Sequence, residues 1–413
     1  MTKVRAFRAV RPREDVAKDV AALPYDVMNS DEARVAVRNR PLSFLRVDKA
    51  EVDLDPSTDI YDARVYEKAK ENFLTLRSDG ALRKDAEPHY YIYRLTMDGR
   101  TQTGIVGCPS VDDYLADRIK KHELTRADKE ADRIRHVDTL NANTGPIFLT
   151  HRPDVELSEL VARWTDGHAA VFDFRTDDGI RHEGWVIDDV SAVDRIAAIY
   201  ERIPALYIAD GHHRCASAVK VALKRRDAHP DYTGEEEFNY FLAVIFPSDQ
   251  LKIFDYNRTV KDLNGLSEDD FLKAAGETFR ITAADGPVAP KEKHTFGLCL
   301  RGKWYAMTAL PGAWDDADPV GRLDVSILQN RLLDPILGIR DPRVDKRIDF
   351  IGGIRGLGEL ERRVSEDMTV AFAMYPTTVE DLMDIADAGK IMPPKSTWFE
   401  PKLLSGLFIH DLD

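Results

Sequence analysis

An acid, two imidazoles and a guanidinium stand side by side at Asp210-Gly211-His212-His213-Arg214. The apolar run Ala205 to Ala209 before them reads as a buried strand, and Ala216, Val219, Ala222 and Leu223 after them carry helical spacing. The polar residues therefore sit where a strand hands over to a helix, with Asp210-Gly211 as the turn. Backbone N–H groups and the positive end of the helix dipole converge at such a junction, and anions bind there. Gly211 lets the backbone approach a ligand closely, and Asp210 could hold a metal or a substrate hydroxyl. The plainer alternative is an acidic turn with two surface histidines at a helix start. Four polar groups crowded at one junction favour the functional reading. His212 and His213 are adjacent, so on a helix they point about 100° apart and do not chelate one ion as an i, i+4 pair would.

A second group is Lys120-Lys121-His122-Glu123-Leu124-Thr125. A carboxylate beside a histidine and two lysines could serve as a general base, its acidity set by burial against the neighbouring cations. It could equally be a charged helix-terminal turn. Helix-spaced Ile134 and Val137 then lead to Asn143-Thr144-Gly145-Pro146 and the strand Ile147-Phe148-Leu149. Thr144 and Gly145 form a tight loop able to present N–H groups to a phosphate. Two further segments are open to both readings. Phe350 to Gly358 is rich in glycine but has neither the dinucleotide nor the P-loop spacing, and a tight connection fits it better than a nucleotide site. Pro393-Pro394-Lys395-Ser396-Thr397 could lie over an active site or be an ordinary extended tail. The GxSxG, HExxH and GxxxxGK[ST] patterns are absent.

The elements that must position these groups alternate along the chain. Asn29 to Glu32 caps a helix, and Tyr66, Ala69, Phe73 and Leu76 stripe another that stops at Asp79-Gly80. Hairpins are expected on Asp98-Gly99, Asp178-Gly179 and Arg301-Gly302. A helix with Val193, Ile196, Ala197 and Tyr200 leads into the strand before Asp210. A strand at Thr369 to Tyr375 and a helix from Glu380 to Ala388 lie toward the end. The spacing gives an N-terminal α/β region over 1–110, a core over 111–228 and a C-terminal α/β region over 229–413.

The 413 residues allow two or three domains. A hydrophobic share of 43% and a charged share of 31% are ordinary for a soluble globular chain. No apolar run approaches the eighteen or so residues of a membrane span, and the first residues lack the apolar segment of a secretory signal. Cys108, Cys215 and Cys299 are scattered without CxxC spacing, so neither a disulfide framework nor a zinc ribbon is expected. A reducing cytoplasm is the expected compartment. A net charge of −14 argues against tracking a nucleic-acid backbone, and the basic stretch Arg118 to His136 is interleaved with acids as a solvated helix face would be.

The stretch from Ile119 to Ala218 resembles the ParB/sulfiredoxin-like fold, most closely its free serine kinases. The matching parts are His122-Glu123, Gly145-Pro146-Ile147 and Asp210-Gly211-His212-His213-Arg214. Over nearly the whole chain, Leu23-Pro24-Tyr25-Asp26-Val27, the His-Glu-x-Thr segment, the Asp210 box and the terminal Pro-Pro-Lys-Ser-Thr resemble the domain of unknown function 1015 family. The resemblance implies an α+β fold with a ParB/sulfiredoxin-like mixed-sheet core and α/β additions at both ends. It implies a phosphotransferase using ATP or ADP with Mg²⁺ on free serine, or the reverse reaction on phosphoserine. Glu123 would be the base, Asp210 would place the hydroxyl or the metal, and His213 would assist catalysis. His212, Arg214 and Gly211 would hold the phosphate, with Thr144 and Gly145 opposite. Two departures stand out: a long insertion with its own hairpin between Ile147 and Asp210, and His212 where sulfiredoxins carry their cysteine. The rival expectations are a non-catalytic nucleotide-binding regulator of ParB-like fold and a metal-dependent phosphatase acting on phosphoserine.

Overall fold

The computed structural model describes residues 2–413. The chain forms two units: one runs to Leu251 and resumes at Pro401–Asp413, and the other is Lys252–Glu400. The strands of the first unit's main sheet are β1 (Val4–Arg5), β2 (Tyr90–Met97), β3 (Arg100–Pro109), β4 (Ile119–Lys120), β5 (Ile147–His151), β6 (Phe172–Arg175), β7 (Arg181–Ile187), β8 (Leu206–Asp210) and β9 (Ala243–Pro247). They lie in the order β4-β8-β5-β9-β3-β2-β7-β6, with β1 paired to β3. The β4–β8 and β5–β9 pairs are parallel and the others antiparallel, so the sheet is mixed and the architecture α+β, as expected.

Turn chemistry sets the hairpins. Asp98 and Gly99 both have positive φ, 51° and 76°, which the two-residue turn between β2 and β3 requires. The insertion's hairpin, β6 with β7, turns near Gly179 at φ 85° and joins the main sheet beside β2 rather than standing apart. The sheet thus draws strands from both sides of the boundaries expected near 110 and 228.

Five helices of this unit matter for the site: α1 (Ala63–Ser78), α2 (Ala127–Leu140), α3 (Val155–Gly167), α4 (Val190–Arg202) and α5 (His212–Ala228). Leu157 of α3, Ile196, Ile199 and Tyr200 of α4, and Cys215, Ala218, Val219 and Ala222 of α5 share one core with Ile147, Leu149, Leu206, Ile208 and Ile245 of the sheet. Each large apolar side chain so buried contributes roughly 1.5–3 kcal/mol, which fixes the start of α5 against the end of β8. A second core joins the N-terminal region to the return segment: Val65, Ala69, Phe73 and Leu76 of α1 cluster with Phe44, Leu140, Ala142 and Ile409. The return segment is stitched in by bridges Ala22↔Ser405 and Val10↔Ile409 and by the pairing of His410 with Asn143.

The second unit carries its own sheet, all antiparallel: β10 (Tyr256–Val260), β11 (Phe279–Ala284), β12 (Thr295–Leu300), β13 (Lys303–Ala309), β14 (Ile348–Gly352) and β15 (Val370–Met374), in the order β11-β13-β12-β15-β10-β14. Its glycine-rich run is a tight connection. A Cβ on Gly352 would lie 2.9 Å from the Trp398 indole and one on Gly353 1.9 Å from Asp255 Oδ1. The proline-based segment also belongs to this unit, where Lys395 Nζ sits 5.5 Å from the centre of the Tyr256 ring and Ser396 Oγ donates to Pro393 O. No helix among the described residues is long and apolar enough to cross a membrane.

Candidate functional site

The apolar strand β8 is buried up to Ala209 and ends at Asp210, where its register against β5 shifts. Gly211 then turns the chain at φ 92°, a conformation that side chains with a Cβ rarely adopt. A Cβ there would also stand 3.1 Å from the Arg214 guanidinium, which would have to give way by a few tenths of an ångström. The first turn of α5 begins immediately, leaving N–H groups without intrahelical partners at this spot.

Arg214 spans the two segments that carry the expected phosphate contacts. Its Nη1 donates to Pro146 O at 2.5 Å, and a Cβ on Gly145 would lie 3.7 Å from that nitrogen. Its Nε is buried and has no hydrogen-bond partner. Thr144, Gly145 and Arg214 line one cleft together with Pro24, Tyr25 and Arg133. Thr144 Oγ1 donates to Asp48 Oδ1 at 2.9 Å, and the Arg133 guanidinium lies 4.0 Å from the centre of the Tyr25 ring. The Leu-Pro-Tyr-Asp-Val segment thereby joins the expected phosphate loop.

The parallel pairing of β4 with β8, Ile119 beside Leu206, carries His122-Glu123 to the same end of the sheet as His212. The His122 and His212 rings lie edge to face with centroids 4.5 Å apart, and Glu123 Oε2 is 3.7 Å from His212 Nδ1. Both rings are buried while the Glu123 side chain is half exposed. Neither nitrogen of His122 makes a hydrogen bond of acceptable geometry, nor does Nε2 of His212. Burial pushes the His122 imidazole down to about 4. His212 lies well below the usual range because of burial and the adjacent His122 ring. Both are therefore neutral near pH 7.

Asp210 is fixed from two sides. Its Oδ1 accepts the Gly211 N–H at 2.7 Å, and its Oδ2 accepts from Lys402 Nζ at 3.1 Å. Burial alone would raise its carboxyl, but Lys402 and Arg214 outweigh it and hold the group well below the ordinary range. Among the described residues, the group that could hold a metal ion is His122, Glu123 and His212, whose ligand atoms lie within 4.8 Å of one another. Asp210, the expected ligand, is not in that group.

His213 has a different engagement. Its Nε2 accepts the backbone N–H of Arg126 at 3.0 Å, just ahead of α2, and burial lowers the pKa of the ring so that it stays a neutral acceptor. Lys402 and Ser405 were not visible as site residues in the sequence. Ser405 Oγ lies 3.0 Å from where a Gly145 Cβ would be. Neither residue sits in a motif, and only the bridges of the return segment bring them here.

The family described as "Protein of unknown function (DUF1015)" matches residues 4–326. No curated protein matches the chain. Among solved structures, a free serine kinase in complex with AMP is 15% identical, covering 72% of this chain and 86% of that one with a TM-score of 0.35. A conserved hypothetical protein from Pyrococcus furiosus is 16% identical over 73% of this chain and 94% of that one, TM-score 0.34. SbnI with a C-terminal truncation, from Staphylococcus aureus, is 9% identical over 72% and 85%, TM-score 0.36. Likenesses this weak carry no conclusion about activity.

Proposed function

We propose a function for this chain, which belongs to the DUF1015 family, from its own site, because that family is described only as proteins of unknown function. The chain is a small-molecule phosphotransferase. It moves a phosphoryl group between a nucleotide, ATP or ADP, and the hydroxyl of free serine, or takes it back from phosphoserine. The observation that carries this reading is Arg214, whose guanidinium donates to Pro146 O, fills the space a Cβ on Gly211 or Gly145 would enter, and keeps a buried donor, Nε, without a partner. A charged donor held in that state suits an anion that reaches it between the helix start and the Thr144-Gly145 loop.

In the forward direction the serine oxygen forms a bond to the terminal phosphorus, the bond from that phosphorus to the nucleotide oxygen breaks, and the hydroxyl proton passes to Glu123. Glu123 is exposed enough to meet a substrate. Asp210, kept ionised by Lys402 and Arg214, accepts a hydrogen bond from the substrate and orients it. Arg214 and Lys402 offset the charge on the moving group. Phosphoryl transfer depends mainly on such positioning and charge stabilisation. Mg²⁺ fits as a nucleotide-borne ion: it takes one or two carboxylates and fills its shell with water and phosphate oxygens, and with Glu123 serving as base Asp210 is the carboxylate at hand. When bound it would neutralise phosphate charge. His213 supports the fold at the start of α2 rather than meeting the substrate.

The test is direct. Full-length protein with Mg²⁺ is incubated with serine and ATP or ADP, and separately with phosphoserine and AMP or ADP, and followed by phosphorus NMR. Appearance or loss of phosphoserine supports the reading. Nucleotide binding with no transfer in any mixture replaces it with the binding-regulator reading.

A further inference from the structure

The cluster of His122, Glu123 and His212 has a property that phosphoryl transfer does not use. Two buried imidazoles stand together with three of their four nitrogens making no hydrogen bond of acceptable geometry. A buried polar atom without a partner is costly, and two adjacent rings in that state are a poor way to build a core. Both rings are buried, and a neutral imidazole offers a ring-nitrogen lone pair to a metal ion. A half-exposed carboxylate closes the third side, and it is the face by which solvent reaches the cluster.

We propose that these three side chains form a binding site for a borderline divalent cation such as Zn²⁺ or Co²⁺, separate from any Mg²⁺ that arrives with a nucleotide. Two neutral imidazoles and one carboxylate suit such ions, whereas a hard ion such as Mg²⁺ prefers oxygen alone. The 3.7 Å between Glu123 Oε2 and His212 Nδ1 is close to the roughly 3.4 Å that separates two ligands bound tetrahedrally at about 2.0–2.1 Å. The remaining atoms lie within 4.8 Å of one another, and rotation of the exposed Glu123 side chain closes the set around an ion. The fourth position is left to water. The site also claims the carboxylate that the phosphotransfer reading uses as its base, so a bound ion and turnover exclude each other.

The test uses the full chain, freed of metal with a chelator that is then removed, and titrated with Co²⁺ without any substrate. The expected result is one Co²⁺ per chain with visible absorption bands of a four-coordinate site, displaced by one equivalent of Zn²⁺. His122→Gln and His212→Gln weaken Co²⁺ by more than the roughly 10–100-fold that loss of an outer-shell partner costs. The exposed histidine His229 is the control, and His229→Gln leaves binding unchanged. Both ligand histidines are buried, so Glu123→Ala, at a half-exposed position, provides a variant whose folding is not at issue. Absence of stoichiometric Co²⁺ and Zn²⁺, or wild-type affinity in all three ligand variants, overturns the proposal. Because the readout needs no turnover, a protein that binds Co²⁺ yet moves no phosphate when freed of it and supplied with Mg²⁺ refutes only the phosphotransfer reading.

Discussion

Lys402 Nζ lies 3.1 Å from Asp210 Oδ2, joining two residues 192 positions apart at the turn between β8 and α5. The ammonium and Arg214 together outweigh the burial that would otherwise raise the Asp210 carboxyl. Lys402→Met removes one of the two cations, so the Asp210 pKa rises toward the ordinary value. Activity that needs the ionised carboxylate is then lost at a higher pH than in the wild type as the solution is acidified. The acid limb of the kcat–pH profile should shift upward in Lys402→Met, and an unmoved limb would separate Asp210 from turnover.

Glu123→Gln keeps the shape of the side chain and removes its basicity. General-base catalysis contributes typically ~10²–10⁴-fold, so kcat should fall by that order while nucleotide affinity holds. Single-turnover transfer measured beside calorimetric binding distinguishes the two; wild-type turnover would place the base elsewhere.

Arg214→Ala should weaken nucleotide binding by about tenfold or more, since a hydrogen bond to an ionised group contributes about 1.5–3 kcal/mol. Isothermal calorimetry reads this directly. The salt dependence of binding should also flatten, because one cation fewer meets the phosphates.

His213 acts through α2. His213→Ala deprives the Arg126 N–H of its acceptor, a loss comparable to removing a helix cap, about 1 kcal/mol. Amide exchange in the first turn of α2 should quicken about fivefold for that energy. His213→Gln, which restores an acceptor, should recover most of the protection. A catalytic His213 would instead show a turnover loss that glutamine does not rescue.

Much of the fold was legible because local chemistry dictates it. Asp98-Gly99 and Arg301-Gly302 demand positive φ, and the Tyr66, Ala69, Phe73, Leu76 stripe demands a buried helix face. The meeting of His122-Glu123 with the Asp210 box was legible only through resemblance, since the parallel pairing of β4 with β8 leaves no local mark. Lys402 and Ser405 were illegible for a similar reason: a lone lysine and a lone serine reach the site through bridges to Ala22, Val10 and Asn143. The aim of His213 toward Arg126 was equally hidden, because adjacent helical residues share a motif but not a direction.

The return of Pro401–Asp413 to the first unit has a consequence for biosynthesis. A ribosome delivers the chain from its N-terminus, so β8, α5 and the Thr144-Gly145 loop emerge long before Lys402. All of Lys252–Glu400 must be translated before the ammonium that steadies Asp210 leaves the exit tunnel. A nascent chain stalled near residue 390 would hold His122-Glu123, Thr144-Gly145 and the Asp210 box and still lack a finished site.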